Sequence, residues 1–412
     1  MKKATIMLMV ALLFATLGAT ELIVLNSASQ TLSKIDLLTH VAVNNFANAG
    51  LYGNQVYFDD DELWLVNSGD NNIQKISIES GAILQTIQLP NSSNPWNMLK
   101  NGDYIYVSGM MSSDIYRIDT NTNAISAMTS GVGPEGMLIV GNELYVANTG
   151  FQYPDYSQGT LSVFNLDTFE KQTEILTSTN PQAMILASDG NIHLMCTGNY
   201  YDVSGSIQII DPISKGIIDT IEIGGCPNSI IESPDQIVYL ADGMGLGFYS
   251  YDVNTHEIIH SSTNTYLPGG SKMLFLEDQK LVLNTGDWFS NSHLLHLDAD
   301  DVEIYDYSLG VGAVDLVLIE SPQSNNEVVH VKESLIEAYP NPFRSQIQLK
   351  SKQNNIEELS VYNIKGEKVK TLITNQWDGR DARNQQCANG IYYILARLKD
   401  GSISTKKITY LK

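Results

Sequence analysis

The sequence predicts an all-β chain: a seven-bladed β-propeller followed by a small β-sandwich. Three observations carry this expectation. A phrase such as PEGMLIVGNELYVANTG, residues 134–150, recurs at spacings of roughly 40 to 48 residues, the length of one propeller blade. Each copy holds short alternating apolar runs, with Gly and Asn turns between them, the pattern of antiparallel strands. The charge then changes sign late in the chain. Residues 1–330 carry 10 basic and 38 acidic side chains, a net of −28, whereas residues 331–412 carry 14 and 8, a net of +6. Such a shift marks a domain boundary.

Residues 1–20, MKKATIMLMVALLFATLGAT, read as a secretory signal peptide. Lys2 and Lys3 start it, an apolar run follows from Ile6 to Phe14, and small residues close it at Gly18 and Ala19. The run is too short for a membrane span, and no later stretch reaches the roughly 18 apolar residues that a span needs.

The repeat begins at Glu21 with ELIVLNSASQTLSKIDL. It returns at Glu62 (ELWLVNSGDNNIQKISI), Tyr104, Glu143 (ELYVANTG), Asn191, Ile237 and Lys280. A second anchor precedes most copies: NQVYF at Asn54, PWNML at Pro95, PEGML at Pro134, PQAMI at Pro181, PNSII at Pro227, GSKMLF at Gly270 and AVDLVLI at Ala313. The anchors are expected to be the innermost strand of each blade, where a leading Pro costs no ladder hydrogen bond. The first phrase has no anchor before it and the last anchor has no phrase after it. The expected closure pairs Val314–Glu320 with the blade that Glu21 begins, joining both ends of a propeller over residues 21–322.

Residues 323–334 form a polar linker, and residues 335–412 a second domain of short alternating strands. Lys365-Gly366 and Asp400-Gly401 mark expected hairpin turns.

The phrases ELYVANTG…GTLSVFNLDT and ELWLVNSGDNNIQKIS resemble the YVTN-type propeller repeat. The second domain resembles the type A sorting domain of the type IX secretion system, a relative of the Ig-like domains of flagellar hook caps. The resemblance rests on Tyr339, Pro340, Asn341 and Pro342, on VYNIKG ending at Gly366, on Gly390-Ile391-Tyr392 and on the Lys-rich last strand. Trp377-Asp378-Gly379 is similar to the hook-cap variant. The resemblance implies an Ig-like β-sandwich and export by the type IX machinery of a Gram-negative bacterium. After signal peptide removal, the protein would be secreted or held on the outer cell surface.

The acidic first domain should repel nucleic acid and anionic lipid headgroups. The chain's seven histidines form no cluster in the sequence, and no nucleophile elbow, phosphate loop or dinucleotide fingerprint is present. Cys196 and Cys226 fall in successive repeats and are either a pair or two buried thiols; Cys387 has no evident partner. Loops between the second and third strands carry Tyr153 and Tyr156, Tyr200 and Tyr201, and Trp288 and Phe289, interleaved with Asp155, Asp202, Asp287 and Asn291. Flat aromatic surfaces edged by polar groups suit a glycan or peptide. The leading expectation is a binding protein for a glycan, peptide or envelope protein, without catalysis or cofactor. The alternative places calcium on Glu135, Asn228 and Asp315 at the channel mouth. Carboxylates and an amide oxygen suit that ion, and some six-bladed lactonases look similar, so the alternative is a cation-dependent lactonase or lyase. A structural spacer in a surface layer is the third possibility. Asp59 to Asp61, and Asp298, Asp300 and Asp301, read as solvated turns.

Overall fold

The computed structural model describes residues 21–319, apart from 60, 268, 277 and 278, and residues 336–410, apart from 342, 352–355, 364–367, 373 and 399–402. The expected signal peptide and linker, with Pro342 and Gly366, lie outside the described residues. The chain divides into two compact units between Ser321 and Pro322.

The described residues of the first unit contain seven four-stranded antiparallel sheets and one two-stranded ribbon. The fourth sheet shows the plan. Pro134–Val140 pairs with Glu143–Asn148, which pairs with Thr160–Asn165, which pairs with Glu170–Leu176. The first strands of the other sheets are Gly53–Asp59, Pro95–Asn101, Pro181–Leu186, Pro227–Glu232, Lys272–Leu276 and Ala313–Ile319. From Ala313–Ile319 round to Lys272–Leu276, each of these strands lies beside the first strand of the next sheet. This is a propeller-like arrangement. Ala313–Ile319 pairs with Glu21–Asn26, register Leu22 to Leu318 and Val24 to Leu316. The last strand of the unit thus completes the sheet that the first strand begins.

The expected alternation survives in few strands. In Val41–Asn48, an outer strand, exposed and half-buried residues alternate. Ile192–Cys196 is buried at all five positions, as is Ser206–Ile210. A middle strand packs a neighbouring sheet on each face, so both of its faces must be apolar or hydrogen-bonded. Its polar members are accordingly bonded across the ladder. Asn148 Nδ2 donates to Ser162 Oγ (2.9 Å), and Asn67 Nδ2 donates to Asn72 Oδ1 (3.0 Å).

The described residues of the second unit form two sheets. Ile336–Tyr339, Ile347–Ser351 and Gln376–Trp377 form one; Lys368–Leu372, Ile356–Asn363, Gly390–Leu398 and Ile403–Tyr410 form the other. Both contribute to one core in which Trp377 packs on Phe343 and Tyr392. Asn341 Oδ1 accepts from the Thr409 amide (2.8 Å), tying the Tyr-Pro-Asn segment to the last strand.

Candidate functional site

Four first strands begin with Pro, and each carries a register shift directly after it. The shifts lie between Pro95 and Met98, Pro134 and Met137, Pro181 and Ala183, and Pro227 and Ser229. A bulge takes residues out of the ladder and bends the strand. The residues set apart here include Asn97, Glu135, Gln182 and Asn228.

Hydroxyls at the ends of second strands hold these bulges across to the next sheet. Ser108 Oγ donates to the Glu135 carbonyl (2.7 Å), Thr197 Oγ1 to that of Pro227 (2.7 Å), and Thr285 Oγ1 to that of Ala313 (2.6 Å). Several inner side chains are used in the same way. Gln55 Oε1 accepts from the Met98 amide (2.6 Å). Asp315 accepts from the Val56 amide (3.0 Å) and forms an ion pair with Lys272. These groups join sheets to one another.

Glu135 is different. It is 4% exposed, and its carboxyl has no hydrogen-bond partner among the described residues. Burial pushes its pKa up to about 8, so the group is a neutral acid at pH 7. Tyr156 and Tyr200 lie close enough to feel its charge. Burial raises both phenols as well, Tyr156 to about 12. Their rings are 6.3 Å apart, and Phe151 continues the row 5.3 Å from Tyr156. Asn180 stands beside both phenols, with a buried Oδ1 that has no partner; Asn97 Oδ1 is in the same condition. Gln182 reaches Tyr200 at 3.5 Å and accepts from Thr197 Oγ1 at 2.7 Å.

Local structure holds the two tyrosines. Tyr156 sits on the ribbon formed by Phe151–Gln152 and Asp155–Tyr156. Tyr200 opens a turn in which Asn199 Oδ1 accepts from the amides of Tyr201, Asp202 and Val203. The result is an uncharged group of donors and acceptors beside a row of aromatic rings. Such a site can hold a hydroxyl-rich or amide ligand without separating charge.

The structure thus brings together Tyr156, Tyr200 and Glu135, which came from two different expected sites. It does not gather the rest. Tyr201 is 93% exposed, and Tyr153 and Phe289 are nearly as open. Trp288 lies against Gly312, where an added Cβ would sit 2.9 Å from its ring. Asn228 is exposed, and Asp315 is committed to Lys272. Asn180 escaped the sequence reading. Its signal was an Asn before an anchor Pro, here at φ 59°, a left-handed conformation that Asn tolerates.

Two sequence readings need correction. The histidines do form pairs, His193 with His256 and His40 with His296, because adjacent sheets bring a strand residue of one against a turn residue of the next. Asp301 is no solvated turn residue; it pairs with Lys280 and accepts from the Tyr266 hydroxyl (2.6 Å). All three cysteines are free thiols.

Residues 337–410 match the family model of the secretion system C-terminal sorting domain. Uncharacterized protein YwhL of Bacillus subtilis (strain 168) is 34% identical over 67 residues, a match spanning 16% of this chain and 15% of that protein's length. Among solved structures, a quinonprotein alcohol dehydrogenase-like protein from Bacteroides thetaiotaomicron aligns with a TM-score of 0.54 at 12% identity, covering 74% of this chain and 79% of that one. Hydrazine synthase of Kuenenia stuttgartiensis aligns at 0.50 and 14%, covering 64% and 93%. A streptogramin B lyase aligns at 0.50 and 14%, covering 63% and 83%. At these identities the likeness is one of fold. The chain therefore joins a propeller-like unit to a C-terminal sorting domain of the kind that directs type IX export.

Proposed function

We propose that this protein is an exported seven-bladed β-propeller of YVTN type, carried by an Ig-like sorting tail, and that it binds an uncharged glycan. Binding takes place where Glu135, Tyr156 and Tyr200 meet. The carrying observation is Glu135, a buried, unpartnered carboxyl kept neutral beside two phenols. A protonated acid donates to a sugar hydroxyl, and Asn180, buried beneath the two phenols, holds them in place. Tyr156 and Tyr200 supply the flat apolar face that a pyranose ring covers. No step of covalent chemistry is required of these groups. After signal peptide removal the protein acts at the cell surface or in the medium.

The cation-dependent lactonase or lyase reading needs Asp315 as a calcium ligand. The ion pair with Lys272 already neutralises that carboxylate, which favours the glycan reading.

The test is a binding screen of the full chain against neutral oligosaccharides, followed by variants. An aromatic contact of about 1–1.5 kcal/mol predicts that Tyr200→Ala weakens the best ligand about tenfold. Its melting temperature should stay close to wild type, because Tyr200 is half exposed. Tyr201→Ala should change neither quantity. A Tyr200→Ala protein that binds normally would overturn the placement of the site. Calcium heat in the wild type that is lost in Glu135→Gln would favour the lactonase reading instead.

A further inference from the structure

At the other end of strand Ile192–Cys196 from Thr197 lies a second cluster: Asp189, His193 and His256. One potential ligand atom from each falls within 4.8 Å of the others. Asp189 stands on the turn leading into that strand, and His193 is its second residue. His256 comes from the sixth sheet, on the turn after Phe248–Asp252. The cluster therefore spans two sheets and is unrelated in place to Glu135.

We propose that Asp189, His193 and His256 bind a divalent transition metal of the zinc type. Three features carry this. First, the donor set is two imidazoles and one carboxylate. That set suits zinc and its neighbours and is unsuited to calcium or magnesium, which take oxygen ligands. Second, His193 Nε2 and Asp189 Oδ2 are 3.3 Å apart, the edge of a tetrahedron built on bonds of about 2.0–2.1 Å.

Third, the remaining ring nitrogens are already oriented. His193 Nδ1 is 2.8 Å from the Tyr251 hydroxyl, and His256 Nδ1 is 2.6 Å from Asp219 Oδ2. With metal on each Nε2, the ring proton of His193 is donated to Tyr251 and that of His256 to Asp219. A partner on the second nitrogen is what fixes the tautomer of a metal-binding histidine. The turn bearing Asp189 is itself braced, since the Ser188 amide donates to Glu232 Oε2 of the sixth sheet (2.8 Å). His256, on an exposed turn, needs to move inward by up to about 1.5 Å to close the coordination. Three protein ligands leave a fourth position to water. The metal would clip the fifth sheet to the sixth.

The experiment is calorimetric titration of zinc into the untagged full-length chain after chelator dialysis, with melting temperature as a second readout. One zinc per chain is expected, with a raised melting temperature and no competition from calcium. His256→Gln changes a turn residue and leaves the buried His193 in place, so it keeps the fold. It should weaken binding at least tenfold and remove the thermal shift. Asp219→Asn, which touches no metal, should weaken binding by about 10- to 100-fold. Absence of zinc binding, or binding that His256→Gln leaves unchanged, would reduce the cluster to a hydrogen-bond network and overturn the proposal.

Discussion

Glu135→Gln is expected to stabilise the protein in alkaline solution and to leave its stability unchanged near pH 4. The cause is desolvation. Burial lifts the carboxyl from its ordinary 4.5 to about 8. Between those two pH values the folded chain holds a proton on Glu135 that the unfolded chain has released. Stability therefore falls as pH rises through this window, and is flat above it. Over some 3.5 pKa units the loss is at most about 5 kcal/mol. Glutamine stays neutral throughout and escapes the loss. Urea unfolding of both proteins at pH 4 and pH 9 measures the difference directly. Equal gaps at the two pH values would mean that Glu135 is ionised in the fold, with a cation or other positive charge beside it. The same titration bears on binding. A sugar held by the protonated acid should dissociate more readily above pH 8 from the wild type, whereas the glutamine variant should show a flat profile.

A chain ended at Gly312 is expected not to fold, whereas a chain ended at Ser321 should keep the native circular dichroism and melt normally. The difference is the closing strand Ala313–Ile319. It is the only ladder partner of Glu21–Asn26 on that side. It also places Leu316 and Ile319 in two apolar clusters, with Leu22 and Val24 in one and Ile23 and Leu25 in the other. Burying side chains of this size contributes about 1.5–3 kcal/mol each, against a net stability of about 5–15 kcal/mol. Asp315 adds links to Lys272 of the seventh sheet and to the Val56 amide of the second. Without the strand, Glu21–Asn26 becomes an open apolar edge, which invites aggregation. Size-exclusion chromatography and thermal melts separate the two truncations. In cells, the chain ended at Ser321 should accumulate in the periplasm. Protease accessibility at the surface equal to that of the full chain would refute the sorting role of the tail.

Much of the scaffold was legible in the chain. The phrases at Glu62, Tyr104 and Glu143 are second strands, and the Pro anchors are first strands, because repeat period and turn chemistry are local properties. Even the closing pair of Ala313–Ile319 with Glu21–Asn26 could be read, since one unmatched anchor and one unmatched phrase leave a single way to avoid an open edge. The alternation expected of middle strands is lost in most of them. Strands packed on both faces have no polar side, and packing partners are not local.

The candidate site was half legible. Aromatic loops and polar anchors stood out as residue types, so Tyr156, Tyr200 and Glu135 were each in view. What the sequence alone determined was the repeat, its closure, the acidic and basic halves and the sorting tail. Which anchors brace neighbouring sheets, and which stand unpartnered, was decided by tertiary structure alone. Asp315 and Glu135 are both carboxylates just inside an anchor. Lys272, at the start of a neighbouring first strand, reaches the first, and among the described residues nothing charged reaches the second, because that depends on which residue of an adjacent sheet faces each one. The pairing of His193 with His256 has the same origin: 63 positions separate them in the chain, and one sheet-to-sheet contact brings their rings to 6.0 Å.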